Sequence, residues 1–220
     1  MEIDVDTISK SETVNKIRSW HKNDEFCPII IEGSHGHGKT TLACLLASEI
    51  YKTWNWNFLK NYMVFNPSEF LHKIEGKKIR EPVLIWDDAG YWLHSLDFQN
   101  RWVKGVGKYL QVARTDWACI IFTCIDAEDI LKKVRGVHNR VLIQVTKHGS
   151  SKVNPDFRTA RIFESWKTPD KTRRGEEEVY TESFQARMPD PFYKEYVEYR
   201  RGFTRQAKQF LREYTEKANK

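Results

Sequence analysis

The stretch Gly33–Thr41 reads GSHGHGKTT and fits the pattern G-x-x-x-x-G-K-[ST] in full. An apolar, β-branched run from Cys27 to Glu32 precedes it and predicts a buried strand, and Thr40 to Tyr51 has the composition of a helix. A loop in this position directs backbone N–H groups and the positive end of the helix towards one anion. The stretch therefore predicts a site for the phosphates of a nucleoside triphosphate.

The residues of this loop have distinct expected roles. Its glycines let the backbone approach phosphate oxygens without a Cβ clash. Lys39 places a positive charge at the β- and γ-phosphates, and the Thr40 hydroxyl is a ligand for Mg²⁺. His35 and His37 either contact phosphate or are exposed loop side chains, and the second interpretation is the simpler one. The predicted nucleotide-binding residues are Gly33, Ser34, His35, Gly36, His37, Gly38, Lys39, Thr40 and Thr41.

A second apolar run, Val83 to Trp86, ends in the acidic pair Asp87 and Asp88. In a protein that binds triphosphate, the first acid of such a pair orients Mg²⁺ and the second activates the attacking water. We therefore predict Asp87, with Thr40, as a magnesium residue and Asp88 as a catalytic residue. The second acid is usually Glu, and the shorter Asp88 predicts hydrolysis that is slow or dependent on a partner subunit. The alternative is that Asp88 only caps the following turn.

A third apolar run, Ala118 to Cys124, contains the polar residue Thr123 near its end. If this strand lies between the phosphate-loop strand and the Asp87 strand, Thr123 faces the γ-phosphate as a sensor. Otherwise it merely ends a strand. Arg135 is the preferred candidate for a catalytic arginine that acts on the nucleotide of a neighbouring subunit. Arg114 and Arg140 are less favoured candidates for the same role. The alternative for each arginine is a surface ion pair.

Ser9 and Glu12 match the capping box of a first, short helix. Alternating strands and helices up to residue 146, with helices predicted over Gln99 to Arg114 and Asp126 to Val134, predict a parallel sheet covered on both faces. Two extended segments, Arg158 to Trp166 and Glu178 to Arg187, then predict a β-hairpin. The predicted fold class is α/β, a three-layer P-loop NTPase with a mainly parallel sheet, a short β extension and a C-terminal helix. The predicted parts are an ATPase core (1–146), the β extension (147–190) and a basic amphipathic helix (191–220).

The C-terminal helix begins at Asp190-Pro191, an N-cap residue followed by the residue favoured in the first turn. Its apolar stripe predicts packing on the sheet, and the basic residues on its other faces leave open an arm that contacts DNA or another subunit. The stripe consists of Phe192, Tyr196, Tyr199, Phe203, Ala207, Phe210 and Tyr214, and the basic residues are Lys194, Arg200, Arg201, Arg205, Lys208 and Arg212.

The formal net charge is +6, and it is unevenly distributed. Residues 1–146 hold 19 basic and 18 acidic side chains, whereas residues 147–220 hold 17 and 12. A basic region predicts a polyanionic partner, most commonly nucleic acid, although a solvated surface is equally compatible with it. No apolar run reaches the roughly 18 residues of a membrane span, and the polar N-terminus predicts a cytoplasmic protein.

The order of motifs resembles a known family. The phosphate loop, YMVFNPSEFLHKI, VLIWDDAG and IIFTCIDAEDILKKVRG together resemble the AAA+ ATPase core of replication initiators and helicase loaders, over Pro28 to Val145. The C-terminal part departs from that family and is more similar in layout to small P-loop ATPases of archaeal viruses and plasmids. By motif, the resemblance implies functional roles for Lys39, Thr40, Asp87, Asp88 and Thr123, and no lid residue is carried over.

These observations predict a protein that binds ATP and Mg²⁺, hydrolyses ATP and acts on DNA, in replication or helicase loading for a mobile genetic element. Self-association into a ring or filament is expected with it. One alternative is a translocase for DNA packaging or conjugation, and another is a nucleotide-gated scaffold with little turnover. A nucleotide kinase is disfavoured, since no arginine-rich lid follows the core.

Overall fold

A computed structural model describes residues 11–137, 139–147, 156–168, 170 and 172–218. In this part of the chain, seven strands form one sheet in the order β2-β3-β4-β1-β5-β6-β7. The first five positions of that order are parallel, and β6 and β7 add to the β5 edge as antiparallel strands. The strands are β1 (Cys27–Glu32), β2 (Met63–Val64), β3 (Glu81–Trp86), β4 (Trp117–Thr123), β5 (Val141–Lys147), β6 (Phe157–Lys167) and β7 (Arg174–Gln185).

Helices cover both faces of the sheet, which confirms the predicted three-layer α/β fold. Val14 and Ile17 of the first helix pack on one face with the second and the C-terminal helix, while Val103 and Val134 pack on the other. The α-helices are α1 (Glu12–Lys22), α2 (Lys39–Tyr51), α3 (Trp56–Leu59), α4 (Pro67–Ile74), α5 (Ala89–Trp92), α6 (Arg101–Tyr109), α7 (Lys132–Arg135) and α8 (Asp190–Ala218). None of the described helices combines the length and the apolar character that a membrane crossing requires.

The position of β4 between β1 and β3 confirms the condition set for Thr123. Ile31 of β1 is in register with Thr123, and Trp86 of β3 is in register with Phe122. Because parallel strands end at one edge of a sheet, the phosphate loop, the acidic pair and Thr123 arrive side by side.

Two predicted helices differ from the observed ones. The helix expected over Asp126 to Val134 is interrupted, because buried Ile130 adopts an extended backbone and forms an antiparallel bridge with His94. A 3₁₀ turn (Ala127–Asp129) precedes the bridge and α7 follows it. The helical region expected to reach Arg114 ends as an α-helix at Tyr109 and continues in a separate 3₁₀ turn, Ala113–Thr115.

Candidate nucleotide-binding site

The phosphate loop is held closely between β5 and the segment that follows β7. Gly33 has φ +148°, and a Cβ atom there would lie 2.6 Å from the carbonyl oxygen of Val145. Gly38 has φ +92°, and its Cβ would lie 2.7 Å from Cβ of Ala186. Both positions thus require glycine for backbone conformation and for space. The sheet extension therefore shapes the loop from the side opposite the acids.

Lys39 is folded back on the loop at the start of α2. Its Nζ donates hydrogen bonds to the carbonyl oxygens of Gly33 (2.6 Å) and Ser34 (3.0 Å). Partial burial lowers the pKa of the Lys39 ammonium, and the negative charge of Asp88 opposes this shift. Phosphate oxygens are stronger acceptors than these two carbonyls, so the ammonium is placed to transfer its hydrogen bonds to an incoming phosphate.

Asp87 is fully buried at the end of β3. Its Oδ1 accepts hydrogen bonds from the hydroxyls of Thr40 and Thr123, both at 2.7 Å, and its Oδ2 accepts one from Tyr196 at 2.9 Å. Burial, followed by the charge of Asp88, raises the pKa of the Asp87 carboxyl, and the hydrogen bonds from Thr123 and Thr40 oppose that shift. Three hydroxyl donors thus replace the water that the carboxylate has lost.

Thr40 and Asp87 are suited to hold Mg²⁺ together. Their side-chain oxygens are 2.7 Å apart, and Thr40 lines a cleft of about 970 Å³ beside the phosphate loop. Mg²⁺ is usually held by one or two oxygen side chains and takes its other ligands from phosphates and water, which matches this sparse set. The described residues contain no cluster of three or more His, Cys, Asp or Glu that would form an all-protein metal site.

Thr123 connects the two acids of the pair. Besides donating to Asp87, its fully buried hydroxyl accepts a hydrogen bond from the backbone N–H of Asp88 at 2.8 Å. Asp88 itself has a left-handed backbone (φ +51°), which turns its side chain out of the strand direction and into the cleft. A shift of Thr123 would therefore move both carboxylates, which is consistent with its predicted sensor role.

The C-terminal helix α8 lies over this site, which sequence reasoning did not foresee. The guanidinium of Arg200 forms an ion pair with Asp88 at 2.5 Å, one turn after Tyr196 contacts Asp87. Tyr199 donates to Glu69 at 2.6 Å, and Phe203 stacks on Phe65 with ring centroids 4.5 Å apart. Tyr196 and Arg200 are four residues apart, and this spacing places them on one face of the helix. The sequence shows the spacing, but it does not show which surface of the protein this face covers.

The described side chains of the apolar stripe of α8 face the rest of the protein, as predicted. Phe192 and Tyr196 are buried, and Tyr199, Phe203 and Ala207 are partly buried. The side chains of Phe210 and Tyr214 lie outside the described part, as does Ser9, which was expected to cap α1. Ser11 caps that helix instead, its Oγ accepting from Val14 N. Arg200, expected on a basic outer face, points into the cleft.

The remaining predicted residues have other partners. His37 Nδ1 donates to the carbonyl oxygen of Val145 at 3.1 Å, whereas His35 and Gly36 are exposed and line the cleft. Ser34 is exposed. Thr41 also lines the cleft.

The three candidate arginines do not point into their own chain's cleft. Arg135 Nε donates to the carbonyl oxygen of Ile130 (2.8 Å), and its guanidinium pairs with Glu128 (2.5 Å). Arg140 is buried and paired with Glu176, and Arg114 is exposed on another surface. The role of Arg135 in a neighbouring subunit's site stays a prediction, and it requires release of the Glu128 pair.

The Tyr196 hydroxyl leads to a stability prediction. We expect Tyr196→Phe to lower the free energy of unfolding by roughly 1.5–3 kcal/mol, because it removes a hydrogen bond to a buried carboxylate. Tyr193→Phe, the same change at a half-exposed tyrosine of α8 without a described hydrogen bond, is the control and should stay within about 0.5 kcal/mol of the wild type. Urea denaturation followed by tryptophan fluorescence measures both, and equal effects of the two changes would contradict the assignment.

The chain has sequence relatives among the proteins of archaeal viruses, whereas no protein-family model matches it. It is 29% identical over 217 residues to uncharacterized protein B-251 of Sulfolobus spindle-shape virus 1, covering 93% of this chain and 86% of that protein. It is 30% identical over 111 residues to ORF286 of Acidianus two-tailed virus, covering 48% of this chain and 38% of that protein. These relatives confirm the expected likeness to archaeal viral proteins.

Solved structures also show similarity to this chain, at low sequence identity. The genome packaging NTPase B204 of Sulfolobus turreted icosahedral virus 2, in complex with AMPPCP, is 12% identical with a TM-score of 0.40, over 72% of this chain and all of that chain. The flagellar accessory protein FlaH of Methanocaldococcus jannaschii is 14% identical with a TM-score of 0.35, over 70% and 90% of the two chains. The phosphate loop, the strand order and the acidic pair together have the arrangement of a P-loop NTPase fold, and the relatives in sequence are proteins of archaeal viruses.

Proposed function

We propose that this protein hydrolyses ATP with Mg²⁺ and acts on the DNA of an archaeal virus, in replication or helicase loading. The observation that carries the proposal is that Lys39, Thr40 and Asp88 line one cleft, while the buried Asp87 and Thr123 are hydrogen-bonded to Thr40 and Asp88. These side chains supply the positive charge, the metal-binding oxygen, the proton acceptor and the polar contact that phosphoryl transfer to water requires.

Each of these residues has its own role in the proposed reaction. Lys39 and the loop N–H groups hold the β- and γ-phosphates and stabilise the negative charge that develops on them. Thr40 and Asp87 would hold Mg²⁺, which neutralises phosphate charge. The Asp88 carboxylate accepts a proton from the attacking water. The Thr123 hydroxyl holds Asp88 in position by accepting a hydrogen bond from the backbone N–H of Asp88.

The Arg200–Asp88 ion pair restrains this reaction before ATP binds. While the guanidinium of Arg200 contacts the Asp88 carboxylate, it occupies an oxygen that would otherwise accept a hydrogen bond from water. The γ-phosphate is an alternative partner for Arg200, and transfer of the guanidinium to it would release Asp88 to contact water. In this proposal α8 therefore responds to the bound nucleotide directly.

The same ion pair favours the nucleotide-gated scaffold as a second candidate function. Asp88 is one methylene shorter than the usual glutamate and is already engaged by Arg200. If that pair persists with ATP bound, the protein binds nucleotide, moves α8 and turns over little. A translocase for DNA packaging remains the alternative within the enzyme class.

The test is ATP hydrolysis by the full chain, with and without Mg²⁺ and DNA. We expect hydrolysis that requires Mg²⁺ and rises several-fold with DNA, together with DNA binding that weakens as salt increases. The Lys39→Ala variant, which lacks the ammonium at the phosphate loop, measures the background from contaminating ATPases. Absence of hydrolysis above this background would leave the scaffold function, and DNA binding that is absent or independent of salt would overturn the DNA part.

A further inference from the structure

A groove of about 1450 Å³ lies beside the nucleotide cleft. One wall is α6 with the turn that follows it (110–115), and the other is α7 with the residues next to it. Ser95 and Phe98 line it as well. We call this surface the basic groove. It is larger than the nucleotide cleft, and the proposed hydrolysis uses none of the residues that line it.

The charge of the basic groove has one sign. Four of its lining residues are cations, namely Lys104, Arg114, Lys132 and Lys133, and no Asp or Glu is among the described residues that line it. None of the four is within ion-pair distance of a carboxylate in the described part of the chain. Cations gathered on a concave surface repel one another, and the phosphates of a nucleic acid relieve this repulsion.

The groove is also lined by exposed apolar side chains. Phe98 is 54% exposed and Val112 is 61% exposed, although large apolar side chains are usually covered. An aromatic ring beside a phosphate-binding cation is the arrangement on which an unpaired base stacks. The bases of a duplex are already stacked inside the helix, so the combination fits a single strand.

The C-terminal helix is a weaker candidate for the same role, although the sequence placed the excess of charge in the last third of the chain. Its range Asp190–Ala218 contains seven basic and five acidic residues, so its charge is mixed. Arg200 is engaged by Asp88, and Arg201 lines the nucleotide cleft. The concentration of unpaired cations without acids is found in the basic groove.

The basic groove shares its supporting loops with the nucleotide site. The chain that leaves β3 after Asp88 and the chain that leaves β4 after Thr123 meet at the bridge between His94 and Ile130, where Leu131 N also donates to Leu93 O at 2.8 Å. His94 lines the nucleotide cleft, and its neighbour Ser95 lines the groove. A ligand in the groove thus contacts the same two loops that begin at Asp88 and Thr123.

We propose that the basic groove binds a single strand of DNA, with phosphates on its four cations and a base against Phe98. The proposal rests on the proposed action on DNA and assigns it a surface. The proposal also explains how DNA would stimulate hydrolysis, because the bound strand contacts the two loops that begin at Asp88 and Thr123.

The test compares full-length charge-reversal variants by fluorescence anisotropy with a labelled oligothymidylate over a series of salt concentrations. Lys104→Glu with Lys132→Glu should weaken binding at least about 10-fold and reduce the slope of log affinity against log salt by about 1.4, for two lost phosphate contacts. Lys194→Glu with Lys208→Glu makes the same charge change at exposed positions of α8 and should weaken binding less than about 3-fold. Phe98→Ala should weaken strand binding at least about 5-fold with the salt slope unchanged.

Each outcome decides between the surfaces. An equal or greater loss in the α8 variant would overturn the groove in favour of the helix, and tighter binding of duplex than of strand would overturn the single-strand assignment. Unchanged binding in the groove variants would overturn the proposal altogether. ATP hydrolysis without DNA should remain at the wild-type rate in all variants, so failure of the groove is distinguishable from failure of the proposed ATPase.

Discussion

Replacing Asp88 with Asn should reduce the rate of ATP hydrolysis about 100- to 1,000-fold while nucleotide binding is retained, because the amide cannot accept the proton of the attacking water. Asn has nearly the same shape as Asp and tolerates the left-handed backbone found at this position, so the turn into α5 should be preserved. Loss of the half-exposed ion pair with Arg200 should cost no more than about 1 kcal/mol of stability. The measurements are steady-state phosphate release and binding of a fluorescent ATP analogue.

The control for Asp88→Asn is Asp97→Asn, the same chemical change at an exposed aspartate outside the nucleotide cleft. It should leave hydrolysis and binding unchanged. If Asp88→Asn hydrolysed ATP at the wild-type rate, Asp88 would not be the proton acceptor.

Replacing Lys39 with Ala should weaken ATP binding at least about 10-fold, because each charged hydrogen bond to phosphate contributes roughly 1.5–3 kcal/mol. Hydrolysis at saturating ATP should fall a further 100- to 1,000-fold or so, because the same ammonium stabilises charge that grows in the transition state. This pattern differs from that of Asp88→Asn, in which binding survives. Isothermal titration calorimetry with a non-hydrolysable analogue and phosphate release separate the two effects.

Lys22→Ala is the matched control for Lys39→Ala, since Lys22 is exposed at the end of α1 and has no ion pair among the described residues. Circular dichroism should show the same secondary structure for both variants, because the described hydrogen bonds of Lys39 Nζ go to two loop carbonyls and to no helix or strand. Unchanged ATP affinity in Lys39→Ala would contradict the assignment of Gly33–Thr41 as the phosphate site.

Much of the nucleotide site could be predicted from short-range patterns. The phosphate loop is contained in nine consecutive residues, and Asp87, Asp88 and Thr123 each lie at the end of an apolar run. Parallel strands end at one edge, so these residues had to meet once the strand order was right. The helix expected through Ile130 was wrong because a single bridge to His94, a residue far away in the sequence, outweighs local helical preference.

The sequence by itself determined the fold class, the phosphate loop and the acidic pair, because each depends on residue type within one strand, loop or helix. Only the tertiary structure decided that α8 covers this site, with Tyr196 on Asp87 and Arg200 on Asp88, more than a hundred residues away in the chain. An apolar stripe indicates that a helix face is buried, but its period carries no information about the surface it meets. The basic groove likewise depends on tertiary structure, since its cations come from segments that are separate in sequence and become one surface only when α6 and α7 pack on the same face of the sheet.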